Sequence, residues 1–434
     1  MDFLNSQNQK VNNVGIAVGF DLTDSYSQIS YGYVDSDKVE TLSTIAGGSD
    51  FLIPTVLFKR KEVNQWFAGK EALDNRDTDG YLVENILSRG VTMDEIPVGN
   101  ESFRPSALIA LFMKRTLSLL SMSAPLSKIV SFMITVDYLD DAMIKILNEA
   151  VASLGLKNAK IYYQSHMESF YYFAIYQDAA LWKNDVVLFD FSMDVVKLYR
   201  MECNRNTTPI VAFIDSDVFT GYDTENLKEV EPGTEVAKKY DEDILEVIKS
   251  ITSTRAISSV YLIGDAFNKD VFKESVRLLC RAGRVFEGNN LYSKGAAHSA
   301  RDKVSPSILS SSHVFLGNDK LKSNVGINVL KMGTPCYMPL LDAGINWFEA
   351  QKECDVILNQ GNKISFVITP LTGKNPEVVD ITLADLPKRP AKTSKIHLTV
   401  KMISENRMQV NVKDLGFGEL FPASDIEWKE VVLL

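Results

Sequence analysis

Residues 14–34 read VGIAVGFDLTDSYSQISYGYV, and residues 185–201 read DVVLFDFSMDVVKLYRM. Each runs an apolar strand into Phe-Asp, sets a hydroxyl residue two positions after the aspartate, and returns as a second strand. The turns fall at Thr23–Ser25 and Ser192–Asp194, and the aspartates, Asp21 and Asp190, stand 169 residues apart. Each hairpin is followed by a strand that ends at an aspartate and gives way to a helix. In the first case VSFMITVD ends at Asp137 before DDAMIKILNEAVASLG, and in the second SSVYLIGD ends at Asp265 before KDVFKESVRLLCRAG. Those two aspartates are 128 residues apart. The repeated order predicts a duplicated α/β domain over 13–304, with halves at about 13–184 and 185–304. The 41-residue difference between the spacings predicts an insertion in the first half, near 59–101, where turn residues and short helical stretches replace the strand pattern.

Beyond Arg301 the pattern changes. SPSILSSS at 305–312 reads as a Ser-rich joint within a linker over 305–318. The segments KISFVITPL, VVDITLADL, KIHLTVKMI and RMQVNVKDLG then alternate apolar and polar residues with turn signals between them. Period-two alternation without a long helix predicts an antiparallel β-sandwich over 319–434. Residues 1–12 read as a polar N-terminal tail.

Composition bounds the function. The 434 residues carry 46 Lys+Arg against 56 Asp+Glu, a net charge of −10, which argues against a large nucleic-acid footprint. A hydrophobic fraction of 45% with 24% charged residues excludes general disorder. The apolar run Ala107–Leu120 is short and interrupted by Lys114 and Arg115, and no basic amphipathic stretch points to a membrane surface. The opening residues lack a signal-peptide core, so a cytoplasmic location is expected. The four cysteines (Cys203, Cys280, Cys336 and Cys354) and four histidines (His166, His298, His313 and His397) are scattered, which suits free thiols in a reducing compartment and gives a zinc site little to build on.

The quoted residues resemble the seventy-kilodalton heat-shock chaperones, within the actin-like (ribonuclease H-like) ATPase superfamily. Asp21-Leu22-Thr23-Asp24-Ser25 stands where that family has its first phosphate loop, D-L-G-T-T, and Asp190–Asp194 where it has the second, D-L-G-G-G. Ile134–Gly155 looks like the family's "ITVPAYF" strand and following helix, and Gly264-Asp265 stands at the G-G of the adenosine-binding turn. Gly295-Ala296-Ala297 matches the G-A-A of the closing helix. Val314-Phe315-Leu316 resembles the apolar interdomain linker, and Gly333–Gly361 the opening strands of the peptide-binding sandwich. The family's helical lid has no counterpart before Leu434.

The resemblance implies ATP or ADP with Mg²⁺ held between two hairpins. Asp21 and Asp190 would be the metal-ordering and catalytic pair, and Thr23, Asp24, Ser25, Ser192, Met193 and Asp194 the phosphate loops. Gly264 and Asp265 would meet the adenosine, and Glu168 would act as the hinge glutamate if the register of Gln164–Tyr172 allows. Glycine suits such loops because it reaches positive φ and lets backbone approach a ligand. Here Thr23 replaces one loop glycine, and Ser192, Met193 and Asp194 replace three. The position of the family's catalytic lysine falls on Leu73, with Lys70 nearby. If Asp24 and Asp194 faced a polyphosphate, each like-charge contact at ~4 Å and dielectric ~20 would cost on the order of 4 kcal/mol. A micromolar affinity rests on only ~8 kcal/mol.

Plainer readings stand beside these. Asp21 and Asp190 suit turn-stabilising carboxylates, and Thr23, Ser25 and Ser192 ordinary turn residues. Asp265 suits a helix N-cap, the Phe170–Tyr176 stripe suits core, and Val314–Leu316 suits an edge strand of the sandwich. No P-loop, dinucleotide, zincin or nucleophile-elbow motif is present. The expected function is a chaperone-like interaction protein that binds extended polypeptide, or a protein partner, through the sandwich, with a degenerate ATPase-like body. The competing expectation is an ATP-binding, ATP-hydrolysing switch of the same family.

Overall fold

The computed structural model describes residues 14–45, 48–121, 123–192, 195–219, 224–371 and 375–434. The chain is a mixed α/β protein in two compact units, Met1–Phe315 and Leu316–Leu434.

The first unit is built on two sheets. Strands β1 (Ile16–Leu22) and β2 (Tyr26–Tyr33) form the expected hairpin. On its other side β1 pairs in parallel with β3 (Ile129–Val136), which pairs in parallel with β4 (Lys160–Ser165). Helix α1 (Asp141–Ala152) makes the crossover that parallel pairing requires. It begins where the Asp140 carboxylate accepts the Met143 N–H at 2.7 Å. Every residue of β1 is buried, which is why its sequence is a nearly continuous apolar run. Helix α2 (His166–Ile175) follows β4 directly.

The second sheet repeats this layout. β5 (Asp185–Asp190) forms a hairpin with β6 (Val196–Asn204), and β7 (Ile210–Phe219) continues the antiparallel side. Across β5 lies β8 (Ile257–Ile263), parallel to it, and then β9 (Arg284–Glu287), also parallel. Asp21 pairs with Thr135 and Asp190 with Ile263, so the aspartates stand at or next to the last residue of correspondingly placed strands. Helices α3 (Glu235–Thr254), α4 (Lys273–Ala282) and α5 (Leu291–Asp302) belong to the same unit. Ala296 and Ala300 of α5 pack on Ala17 and Met133 of the first sheet. Where α5 crosses α2, a Cβ on Gly295 would stand 1.9 Å from the Ser169 carbonyl oxygen, so only glycine allows the approach.

The region read as an insertion folds on a three-stranded sheet of Leu57–Arg60, Trp66–Ala68 and Gly80–Val83, followed by the hairpin Ile96–Val98 with Glu101–Phe103. The segment read as a linker over 305–318 is largely structured. Ser307 and Ser310 form a capping box for the short helix Ile308–Ser312, and β10 (His313–Phe315) pairs in parallel with β7. Val314 and Phe315 are therefore an edge strand of the α/β unit rather than of the sandwich, because the start of β7 offers them an open ladder.

The second unit consists of two four-stranded antiparallel sheets. One runs in the order β12 (Thr334–Leu341), β11 (Ser323–Lys331), β14 (Lys363–Pro370), β15 (Glu377–Thr382). The other runs β13 (Gln351–Leu358), β16 (Ser394–Ser404), β17 (Arg407–Gly416), β18 (Glu427–Leu433). Their alternate residues, among them Ile327, Phe366, Leu398, Val400 and Val410, fill one shared core. Asp414 is buried beside Arg389, which meets both its oxygens at 2.7 Å, and this fork holds the carboxyl far below the usual carboxylate range.

Candidate functional site

The two hairpin turns face one cavity in the first unit, and each is closed by its own side chains. Thr23 donates its Oγ1 hydrogen to the Tyr26 carbonyl at 2.6 Å and accepts the Tyr26 N–H at 3.2 Å. The Asp24 carboxylate turns away from the cavity. It accepts the N–H groups of Leu87 and Ser88 at 2.8 and 3.0 Å, at the start of the helix Ile86–Thr92. That helix begins at Asn85, whose side chain makes no cap, so Asp24 supplies the missing acceptor at the positive end of the helix. The repulsion expected between Asp24 and a phosphate therefore does not arise. Ser25, exposed, stands at the mouth of the cavity.

In the second hairpin, Asp190 Oδ1 accepts the Ser192 N–H at 2.8 Å, the turn bond expected of a short carboxylate. Met193 and Asp194 lie outside the described residues. Gly264 has φ +101° and lies so close to the Phe191–Ser192 backbone that a Cβ would stand 2.3 Å from the Phe191 carbonyl carbon. Asp265 is not an N-cap. The chain makes a further turn through Asn268, Phe272 buries its ring, and α4 starts only at Lys273. The first-turn N–H groups of Glu274 and Ser275 go instead to Asp241 of α3, at 2.9 Å each. Asp265 pairs with Lys228 at 2.8 Å.

Asp21, Thr23, Ser25, Asp190, Ser192, Gly264 and Asp265 all line the cavity. Glu168, buried in the first turn of α2, is not among the lining residues. Lys70 is exposed at the start of the helix Lys70–Asp74, and Leu73 packs with Val56, Phe58 and Ala72. Neither reaches the cavity.

Two residues that the sequence did not nominate occupy the space between the aspartates. His166, the first residue of α2, sets Nε2 2.8 Å from Asp21 Oδ1. Tyr292, in the first turn of α5, donates its hydroxyl to Asp190 Oδ2 at 2.7 Å. The two rings stack with centroids 4.0 Å apart and planes inclined by 6°. The result is a continuous bridge, Asp21–His166–Tyr292–Asp190. Behind it, Asp137 lies 3.9 Å from His166 Nδ1 and takes Lys197 at 2.5 Å.

Electrostatics reinforce the bridge. Burial works to lower the pKa of His166, but Asp21, Asp137 and Asp190 outweigh it and hold the pKa above the ordinary histidine value. The imidazole thus tends toward the cation that a buried carboxylate needs. Burial, with Asp190 adding to it, raises the Tyr292 hydroxyl well above the usual phenol value, so it stays a donor.

What space remains is small. The cavity holds about 40 Å³, enough for a few water molecules, whereas pockets for small molecules run to ~300–1,000 Å³. As arranged, these residues do not fit Mg-ATP, because of the two carboxylates expected to order the metal, Asp21 is engaged by His166 and Asp190 by Tyr292. Among the described residues, no group of three or more His, Cys, Asp or Glu side chains is placed to hold a metal ion. His166 was visible in the aromatic-rich stretch Gln164–Tyr172, but nothing in its spacing pointed to Asp21, 145 residues away.

Comparison with known proteins identifies two matched families. The one described as "Family of unknown function (DUF5716) C-terminal" matches residues 38–318, and the one described as "Domain of unknown function (DUF8552)" matches residues 320–434. No curated protein matches the chain.

Proposed function

We propose that this chain, which belongs to the family of unknown function DUF5716, is a heat-shock-chaperone-like interaction protein. Its α/β body is an actin-like duplication that has given up nucleotide turnover, and its C-terminal β unit holds extended polypeptide. The observation that carries this reading is the bridge from Asp21 to Asp190. Phosphoryl transfer depends on positioning and charge neutralisation around the metal. Here the two carboxylates that would order it are satisfied by His166 and Tyr292. Descent by duplication is supported by the two sheets, each with a central strand flanked by two parallel strands on one side and an antiparallel hairpin on the other.

Polypeptide binding is supported by the tip of the β11–β12 hairpin. Met332 is 100% exposed there and Leu330 52%. Met332 also has φ +52°, a conformation that L side chains adopt at a cost of roughly 1–2 kcal/mol. A strained, fully exposed apolar residue is the kind of outlier that functional contacts preserve. An extended peptide joining a sheet edge beside this tip would gain backbone hydrogen bonds and one apolar contact. Such a protein would act in the cytoplasm. All four cysteines are free, and no helix among the described residues is long and apolar enough to cross a membrane.

The test pairs two measurements on the full chain. Fluorescence anisotropy with an unfolded, apolar peptide is expected to show saturable binding that Mg-ATP does not change. Phosphate release from Mg-ATP is expected to stay at the buffer rate. Absence of peptide binding would remove the chaperone-like part. Phosphate release abolished by Asp21→Asn or Asp190→Asn would establish the competing reading, an active ATPase, which the presence of both aspartates keeps in play.

A further inference from the structure

At the end of the second sheet opposite the Asp190 turn, β5 begins with Asp185. This residue is 8% exposed, and its Oδ2 has no hydrogen-bond partner among the described residues. Buried carboxylates are nearly always paired, so an unpartnered one needs an explanation. Burial raises its pKa even though Arg255 and Arg200 act in the opposite direction. Asp185 is one of the residues lining a cavity of about 510 Å³, well within the range of small-molecule pockets and separate from the His166–Tyr292 cleft.

The charges around this cavity are unevenly committed. Glu202 is paired with Arg255. Arg205 lies over the Trp182 ring at 5.3 Å and donates to the Trp182 carbonyl at 3.1 Å, bonds that leave its positive charge uncancelled. Lys183, exposed, has no ion pair among the described residues. Once the Glu202–Arg255 pair is set aside, one anion remains in the buried part and two cations remain among the exposed lining residues. Phe213, 37% exposed, adds an apolar surface. A dication would meet Lys183 and Arg205, and a phosphate would leave Asp185 still unpaired and add repulsion. A ligand with one ammonium and one carboxylate answers both signs of unmet charge at once.

We propose that this pocket binds a small zwitterion, an α-amino acid, with its ammonium on Asp185, its carboxylate toward Lys183 and Arg205, and its side chain against Phe213. The site is independent of the reading of the cleft and of the β unit.

Thermal unfolding of the full chain with each common α-amino acid at 10 mM tests it. At least one, expected to be apolar such as L-leucine, should raise the melting temperature of the α/β unit by about 5 °C, the shift given by ligand near 100 times its dissociation constant. The N-acetyl and the amide derivatives of the same amino acid should give less than a fifth of that shift. Asp185→Asn should abolish the response. Lys183→Ala, which alters an exposed side chain and so spares the fold, should weaken affinity about 10-fold. No shift above 1 °C with any amino acid, an equal shift from the capped derivatives, or undiminished affinity in Lys183→Ala would each overturn the proposal.

Discussion

His298 sits in α5, six residues beyond Tyr292, and stacks on Tyr176 with ring centroids 4.3 Å apart. Burial, with Arg301 adding to it, lowers its pKa to about 3. The unfolded chain therefore takes up a proton near pH 6.5 that the folded chain refuses, and stability falls as pH drops from there toward about 3. The slope from this one residue is about 1.4 kcal/mol per pH unit. His298→Gln is expected to flatten the acid limb by that amount, measured by urea unfolding at stepped pH between 7 and 4. An unchanged limb would mean that His298 is protonated in the folded chain. Of the bridge residues, Asp21 and Asp190 were legible because an aspartate closing an apolar strand is a local pattern. His166 and Tyr292 were not, since each matters only through a partner more than 100 residues away. Asp24 was legible as a charge but not as a cap, because the helix it serves lies in the inserted region.

At the level of elements, the hairpins, the strands ending at Asp137 and near Asp265, and the alternating strands of the C-terminal unit all follow from periodicity. Each of these patterns reflects burial along a single strand. The start of α4 and the fate of 305–318 did not follow, because both are decided by what the chain packs against. Phe272 is drawn into the core before the helix can begin, and Val314 and Phe315 find the open end of β7. The β11–β12 turn offers a sharper test. Its first positive-φ position holds Met332 and its second Gly333, where Asn-Gly would be preferred. Met332→Asn should raise the stability of the C-terminal unit by about 1 kcal/mol, the relief of a left-handed side chain. The same change should weaken binding of apolar peptide about 10-fold or more, since burying a Met side chain is worth ~1.5–3 kcal/mol. Chemical denaturation and anisotropy on one preparation read both effects. A loss of stability, or unaltered peptide affinity, would place the function of the tip elsewhere.

For the whole molecule, the DUF5716 match ends at residue 318 and the DUF8552 match begins at 320, close to the division between the compact units after Phe315. Under the proposed function, the α/β body with its bridged cleft and the β unit with its apolar tip would have separate roles, the second being the one that meets polypeptide. In the first, the cleft residues are tied to one another through His166 and Tyr292. Closure of the cleft can be measured by titration calorimetry of the full chain with Mg-ADP up to millimolar concentration, alongside Tyr292→Phe, which frees Asp190 Oδ2 without adding bulk. No heat of binding is expected from the unaltered chain. A stoichiometric isotherm with a dissociation constant in the micromolar range would contradict the closed cleft and restore nucleotide as a ligand.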